Sequence, residues 1–434
     1  MNDTREFWCT QEGIMKVFLS TLGSAGDVYP FIIIGEALKN AGLEVYLCTN
    51  PYFEKTAKER GLQFIPVGSS EEYLRAVNSQ RLWNQKSAFN EMVRYMNAQQ
   101  QPAYDALEPW VDSTSVILTS LWSFSAKMFS ETHGCCVIPV RVTPSTFISS
   151  YDPPYHRQLA WGRRLPLRLR RLFLHLAEKY LVDRTLTPFI NSFRNQLRLP
   201  RIERVLTSWA HRTDSTLLCL FPEWFASPLP DWPAHIRQVG FPLFNLLDNQ
   251  QDDALERFIA QGPTVMFMPS WALSSKQALM VSLVKKIRRR GYQCLIVGQP
   301  NDDLANDTGI RIERHINLNL YLHQCAAIIH HGGIGTMAQS FAAGIPQLVI
   351  PSAFDQFDNA RRVTDMKCGT WLKDDDIDRF DDTLCQLLDD PEIAATCQRI
   401  RQQCLPGPVI GEQIVTTVCD AYARHTAKSH SSPG

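Results

Sequence analysis

Short apolar runs that alternate with helical stretches restrict the fold of this sequence more than any other feature. Runs rich in β-branched and aromatic residues occupy 14–22, 44–50 and 64–67, and a helical stretch at 29–40 separates the first two. Strands buried on both faces of a parallel sheet have this continuous apolar character. The spacing therefore predicts right-handed strand–helix–strand units and a doubly wound parallel sheet.

The alternation stops at 221–253, a segment with five prolines and a polar end, and it then restarts. Such a composition is typical of a link between domains. We therefore predict an α/β chain with two doubly wound, Rossmann-like domains at 15–238 and 239–410. Residues 1–14 are predicted to be a disordered extension, and 411–434 a C-terminal helix and tail.

The composition excludes several classes of protein. Lys+Arg and Asp+Glu are both 44, so the chain lacks the basic excess of nucleic-acid-binding proteins. The 12 cysteines form no Cys-x-x-Cys pair, so they are predicted to be free thiols in a reducing cytoplasm. No stretch approaches about 18 uninterrupted apolar residues, so we predict no transmembrane helix.

The first candidate site is GSAGDVYPF at 23–31, directly after the first predicted strand. Gly23 and Gly26 allow a tight turn next to Ser24 and a close approach of the backbone to a ligand. Asp27 follows the carboxyl end of that strand, where open α/β sheets bind ligands. The alternative is that Asp27 caps the next helix, and the two uses are compatible.

The second candidate site is HHGGIGTMAQSFAAGIPQLVIPSAFDQFDNA at 330–360. A strand leads into a glycine-rich turn and a helix, so free N–H groups and the helix N-terminus predict an anion site suited to a diphosphate. The residues of this turn and helix start are Gly332, Gly333, Gly335 and Thr336. A histidine at the turn can donate to a phosphate oxygen, and Asp355 and Gln356 can bind sugar hydroxyls. His330 and His331 point to opposite faces of a strand, which argues against a shared metal ion.

These two motifs resemble those of the GT-B nucleotide-sugar glycosyltransferases of family 1. HHGGxGT, AGxPQ and DQ occur in the family's order, and GSAGDVYPF is similar to the GSxGDVxP loop of its antibiotic and sterol branch. The resemblance covers nearly all of 15–420. It implies a GT-B fold, in which two Rossmann-like domains face each other across a cleft, and a nucleotide sugar as co-substrate with no further cofactor or metal.

The resemblance also implies roles for single residues. The glycine turn and His331 would hold the donor diphosphate. His330 is the open alternative for this role, because some relatives use the first histidine of the pair. His315 lies where the family stacks a residue on the base, and Ser270 lies at the phosphate end of a second-lobe strand. Many members use a histidine base after the first strand, but this chain has no histidine before His133. Asp27 is the base in the GSxGDV branch, so it is the predicted catalytic base.

Further segments resemble the rhamnosyltransferases of rhamnolipid synthesis. They are RLWNQKSAF, SLWSFSAK, TPSTF, FPEWFASPLPDWP, GFPLF and FDQFDNA. This resemblance implies TDP-L-rhamnose as the donor and a 3-(3-hydroxyalkanoyloxy)alkanoic acid as the acceptor. The open alternatives are UDP-glucose as donor to give a glucolipid, an antibiotic or sterol acceptor, and a non-catalytic nucleotide-sugar or lipid-binding protein.

An Arg-rich segment at 157–171 contains six Arg and no acid, interleaved with leucines and Trp161. This pattern fits a segment that lies on an anionic membrane surface. The alternative is a solvated basic face paired with acids elsewhere. We therefore expect a cytoplasmic protein that contacts the inner membrane peripherally through this segment.

Overall fold

The computed structural model describes residues 9–10, 13–84, 87–155, 160–213, 215–245, 251–274, 276–299, 301–304 and 306–431. Two short strands, β1 (Cys9–Thr10) and β2 (Gly13–Ile14), pair antiparallel. The other residues of the predicted extension at 1–14 lie outside the described chain.

Two parallel sheets contain the remaining strands, one sheet in each half of the chain. The first has β3 (Lys16–Ser20), β4 (Glu44–Thr49), β5 (Gln63–Pro66), β6 (Val116–Thr119), β7 (Cys136–Arg141), β8 (Leu217–Cys219) and β9 (Ile236–Gln238). The second has β10 (Thr264–Met268), β11 (Gln293–Val297), β12 (Ile310–Glu313), β13 (Ala327–His330), β14 (Gln347–Val349) and β15 (Gly369–Trp371).

Helices connect these strands. The first lobe has α1 (Ala25–Asn40), α2 (Glu54–Glu59), α3 (Ser70–Val77), α4 (Ala88–Leu107), α5 (Phe124–Thr132), α6 (Leu167–Ala177) and α7 (Asp183–Gln196), with a π-helical turn at Glu178–Val182. The second lobe has α8 (Asp253–Ala260), α9 (Trp271–Ser274), α10 (Gln277–Arg289), α11 (Leu318–Tyr321), α12 (Ile334–Ala343), α13 (Gln356–Asp365), α14 (Phe380–Asp389) and α15 (Pro391–Arg401), and α16 (Gly407–Ser431) ends the chain.

The strand orders confirm the predicted doubly wound fold. They are β5-β4-β3-β6-β7-β8-β9 and β12-β11-β10-β13-β14-β15, with every pair parallel. The connections change direction between β3 and β6 in the first lobe and between β10 and β13 in the second. Ligands of such sheets bind at these switch points, beyond the carboxyl ends of the strands.

Strand residues alternate between two cores, as the two-residue period of a strand requires. In β3, Val17 and Leu19 face the core under α1, and Phe18 faces the core under α4 and α5. All three side chains are fully buried. Burial on both faces explains why this strand is visible in the sequence as an unbroken apolar run.

The chain ends in three consecutive helices, α14, α15 and α16. Pro391 begins α15, because proline has no N–H to donate and suits a first helical position. Asp390 caps that helix by accepting from the Glu392 N–H at 2.8 Å. Helix α16 returns to the first lobe, where Ile414 and Val418 are buried in the core with α1. Among the described residues, no helix has both the length and the apolar content that crossing a bilayer requires.

The proline-containing segment joins the lobes through apolar contacts. Phe225 and Phe241 pack on Phe341 of α12, with ring centroids 5.9 and 6.1 Å away. The Phe244 ring stacks on the Tyr29 ring of α1, with the ring centroids 4.3 Å apart. This cluster fixes how the cleft edges of the two sheets face each other.

Candidate active site

A cavity of about 910 Å³ lies between the two lobes, and residues from both lobes line it. The first lobe contributes the loop after β3, the inner face of α4 and residues 140–155. The second lobe contributes the turn after β13 and the start of α13. The cavity therefore lies beside a switch point of each sheet, where the sequence predicted ligand binding.

Asp27 lines this cavity from the first turn of α1. Its Oδ2 accepts hydrogen bonds from the Ser24 N–H at 2.8 Å and the Ser24 hydroxyl at 3.1 Å. Ser24 is the N-cap and Asp27 the third helical residue, so the two form a capping box. The structure shows the capping use directly. It also places Asp27 at the cavity, where the ligand contact that the sequence left open stays a prediction.

Burial raises the pKa of Asp27 from 3.8 to about 6, although the two hydrogen bonds from Ser24 favour the charged form. A carboxylate with a pKa near neutrality is able to accept a proton at physiological pH. Gly23 makes room for this carboxylate, because a Cβ at Gly23 would lie 2.3 Å from Asp27 Oδ2. Its φ of 137° is also a conformation that other residues rarely adopt. Gly26 is exposed, and a Cβ there would meet only Ser24 Oγ, at 3.6 Å.

His331 lines the opposite side of the cavity, after β13. Its Nδ1 is buried and has no hydrogen-bond partner in the described chain. Burial lowers the pKa of His331 to about 4, so the ring is neutral at pH 7 and carries one N–H. A phosphate oxygen in the cavity would give this ring a partner.

His330 lies outside the cavity lining and is almost completely buried. Its Nδ1 accepts from the Gly332 N–H at 3.1 Å, and its Nε2 lies 3.1 Å from Gln347 Oε1. The pKa of this ring falls to about 3, mainly through burial and partly through the neighbouring His331. One ring nitrogen therefore supports the turn, and the other connects β13 to β14.

The glycine turn presents the N-terminus of α12 to the cavity. Gly333 is the N-cap and lines the cavity together with Ile334. Gly332 has a φ of 89°, and a Cβ there would lie 2.7 Å from Val349 Cγ1. Gly335 is exposed with open space beside it, and Thr336 is not part of the lining.

Asp355 and Gln356 line the cavity from the start of α13. Asn359 donates to Asp355 Oδ2 at 2.9 Å. The Gln356 Oε1 accepts from the Ser352 and Ala353 N–H groups, which leaves its amide N–H₂ as the donor end. Burial raises the pKa of Asp355 to about 7, and repulsion from Asp27 adds to the shift. The charge of Asp27 thus acts on Asp355 across the cleft.

Two other predicted donor residues do not line the cavity. His315 follows β12 and is exposed. Ser270 follows β10, and its hydroxyl accepts from Ser352 Oγ at 2.9 Å. Ser270 therefore connects the end of β10 to the loop that leads to Asp355. Among the described residues, no group of three or more His, Cys, Asp or Glu side chains is placed to hold a metal ion.

The sequence analysis did not identify the apolar part of the cavity. Helix α4 lines it with Phe89, Met92 and Met96, and Trp122 and Ile148 also belong to this lining. Leu82, Trp83 and Phe354 continue this lining, and the rings of Trp83 and Phe354 meet edge to face across the two lobes. The amphipathic pattern of 88–107 was the signal that could have revealed this wall.

An ion-pair cluster that joins the lobes was also missed. Asp152 of the first lobe accepts from Arg163 at 2.8 Å, from Arg361 at 3.0 Å and from Arg362 at 3.2 Å. Both arginines of α13 also contact Asp358, which is buried and accepts from the Tyr155 N–H at 2.9 Å. The arginines hold the pKa of Asp358 below its usual value in spite of its burial.

Comparisons with known proteins match both halves of the chain. Residues 17–146 match the glycosyltransferase family 28 N-terminal domain, and residues 297–420 match the erythromycin biosynthesis protein CIII-like, C-terminal domain. A sterol 3-beta-glucosyltransferase from Pichia angusta is 24% identical over 82% of this chain, which spans 29% of that relative's length. Glycosyltransferase GtfC from Amycolatopsis orientalis is 25% identical, over 83% of this chain and 86% of its own.

A solved structure has the same arrangement of two parallel-sheet lobes. The glycosyltransferase VinC in complex with DTDP superposes with a TM-score of 0.68 and 20% identity. The match covers 93% of this chain and 99% of that one, so the similarity extends over both lobes and the cleft between them.

Proposed function

The chain has the GT-B fold of the nucleotide-sugar glycosyltransferases, and from this premise we propose that it transfers a hexose from a nucleotide sugar to a lipid hydroxyl. One observation carries the proposal. The carboxyl of Asp27 and the turn with His331 and Gly333 come from opposite lobes and line the same cavity.

The reaction is a single displacement with inversion at the sugar. Asp27 takes the proton of the acceptor hydroxyl as the oxygen attacks the anomeric carbon. The bond from that carbon to the phosphate oxygen breaks, and the nucleoside diphosphate leaves with the electron pair. N–H groups at the start of α12 and the neutral ring of His331 donate to the departing phosphate, and Asp355 and Gln356 bind the sugar hydroxyls.

The preferred substrates in this proposal are TDP-L-rhamnose and a 3-(3-hydroxyalkanoyloxy)alkanoic acid, which gives a mono-rhamnolipid. The resemblance to rhamnosyltransferases supports the pair, and the apolar wall of α4 offers space for acyl chains. UDP-glucose as donor to form a glucolipid is the second choice, and an antibiotic or sterol acceptor is the third. Such a lipid would lie in a membrane, so we place the enzyme in the cytoplasm with peripheral contact to the inner membrane.

We also propose that transfer needs no metal ion. The positive end of the α12 dipole and the N–H groups of the glycine turn supply the electrostatic stabilisation that a cation would otherwise provide. Transfer is therefore expected to continue at an unchanged rate in excess EDTA. A loss of activity that added Mg²⁺ restores would contradict this part of the proposal.

The decisive experiment offers TDP-rhamnose, TDP-glucose and UDP-glucose, each with one hydroxyacyl acceptor, and identifies the product by mass. We expect a rhamnosylated product, and a glucosylated one instead would favour the second choice.

Asp27→Asn is the matched control, because it keeps the shape and a hydrogen-bond acceptor for Ser24. Its turnover should fall by roughly 10²–10⁴-fold, and full activity in this variant would remove Asp27 as the base. Donor binding without turnover in the wild type would favour a binding protein.

A further inference from the structure

Half of the exposed large apolar side chains in the described chain are concentrated between residues 161 and 189. They are Trp161, Leu169, Leu172, Leu176, Tyr180, Leu181 and Phe189, each between 42% and 58% exposed. We call this set the apolar stripe. Helix α6 has no buried residue, and the i+3 and i+4 spacing of Leu169, Leu172 and Leu176 places these side chains along one of its faces. Tyr180 follows in the π-helical turn that continues the helix.

The charges around the apolar stripe are almost all positive at the surface. Arg164, Arg168, Lys179 and Arg184 are exposed. The two acids of the segment 160–189 turn towards the protein instead. Glu178 is buried and accepts from the backbone and hydroxyl of Thr207, and Asp183 accepts from the backbone N–H groups of 204–205. Within the part of the chain that the structure describes, the outer face therefore combines exposed apolar groups with basic groups that form no ion pair.

The structure divides the Arg-rich segment into two groups with different uses. Arg170 donates to the backbone oxygens of Ser150 and Tyr151, and Arg171 donates to the Tyr151 hydroxyl. Arg163 pairs with Asp152. These three arginines fasten α6 and the turn before it to the loop at 150–155, whose end lines the cavity with Pro154 and Tyr155. The apolar stripe is thus attached to a wall of the candidate active site.

We propose that the apolar stripe is a docking surface for an anionic membrane leaflet, and that it brings the cavity to the lipid acceptor. Apolar side chains flanked by Arg and Lys are the chemistry of an interfacial helix, since the former enter the acyl boundary and the latter meet anionic headgroups. A second copy of the chain fits the surface less well, because it would bring two positive faces together. This inference rests on the proposed lipid acceptor.

The test is co-sedimentation of the full chain with vesicles of phosphatidylcholine alone or mixed with phosphatidylglycerol. We expect the wild type to bind the mixed vesicles, and Leu172→Glu combined with Leu176→Glu to weaken binding by about tenfold or more. Arg168→Glu combined with Lys179→Glu should weaken it similarly and reduce its salt dependence. Leu405→Glu, at a site 41% exposed outside the apolar stripe, is the matched control and should bind as the wild type does.

Turnover of a short, water-soluble hydroxyacyl acceptor separates this inference from the proposed function. All the variants should keep the wild-type rate there, because none of the changed residues lines the cavity. Absence of transfer in every protein, with vesicle binding intact, would refute the proposed function alone. The proposed docking surface is wrong if the wild type does not bind anionic vesicles, or if the variant with Leu172→Glu and Leu176→Glu binds them equally well. The proposal is also overturned if the wild type binds no vesicles but forms a dimer, and the same variant is a monomer.

Discussion

At the scale of single residues, two effects shift the pKa of Asp27 in opposite directions. Two hydrogen bonds from Ser24 favour its charged form, and burial favours its neutral form. Burial prevails and raises the pKa to about 6. The same carboxyl therefore stabilises the helix start and remains basic enough to take a proton from an acceptor. A carboxylate free in water, with a pKa near 4, would be the weaker base.

The shifted pKa predicts opposite effects of pH on activity and stability. Activity should fall as pH drops below about 6, because Asp27 becomes protonated. The stability contribution of the neutral carboxyl is full below the unfolded pKa of 3.8 and is lost as pH rises through about 6. Asp27→Asn should therefore raise the unfolding free energy at pH 8, by at most about 3 kcal/mol, while turnover falls. Urea unfolding at pH 4 and pH 8 checks this, and a variant destabilised at pH 8 would contradict it.

Gly23 and Gly26 provide a matched pair for testing the shape of the Asp27 loop. Gly23→Ala would drive a methyl group into the carboxyl of Asp27 at a φ that alanine rarely adopts, so we expect turnover to fall at least about tenfold. Gly26→Ala meets only Ser24 Oγ in a helical turn and should keep the wild-type melting temperature or raise it. Equal turnover in Gly23→Ala and the wild type would show that the carboxyl position is not critical.

The two adjacent histidines should differ in what their loss affects. His331→Ala removes a ring that faces the cavity, so donor affinity should fall about tenfold with little change in melting temperature. His330→Ala breaks buried hydrogen bonds to Gly332 and Gln347 and should destabilise the chain by about 2–3 kcal/mol. Calorimetric titration with TDP and thermal unfolding separate the two effects. The opposite pattern would exchange the roles of the histidines.

At the scale of elements, α4 limits the apolar part of the cavity, where we propose that the acceptor lies. Met92 and Met96 are buried and face the apolar part of the cavity. Met92→Trp should raise the KM for long-chain acceptors at least about threefold and leave short-chain acceptors almost unchanged, because added volume first excludes the end of the chain. A series of acceptors with increasing acyl length measures this. An equal effect on all lengths would place the acyl chain elsewhere.

The strands and the turns that follow them were predictable because their signals are local. β3 and β13 are buried on both faces and read as apolar runs, and glycine-rich turns follow directly. The edge strand β12, in which isoleucines alternate with Arg311 and Glu313, was missed because an edge needs no continuous burial. Helix α4 was missed as well, because its amphipathic pattern leads into no recognisable motif that marks it as part of a site.

At the scale of the whole molecule, side chains far apart in sequence hold the lobes together. Helix α16 packs on α1, and Phe225 and Phe241 pack on α12. The ion-pair cluster joins Asp152 to Arg361, 209 residues further along the chain. No local pattern predicts such a pair, because each partner alone resembles an ordinary surface charge. This explains why the sequence indicated the pieces of the site but not the contacts that bring them together.

The ion-pair cluster should make activity sensitive to salt. Asp358 lies one helical turn after Asp355, so the link from Asp152 to the arginines of α13 also positions a predicted sugar-binding carboxyl. Asp152→Asn should lower kcat/KM for the donor about tenfold and flatten its dependence on sodium chloride, because the variant has already lost the contact that salt weakens. Asp365→Asn is the matched control. It removes an exposed partner of Arg361 within the same helix, so the link between the lobes stays intact and the wild-type rate and salt profile should persist. If both variants behave alike, the link between the lobes depends on the apolar contacts alone.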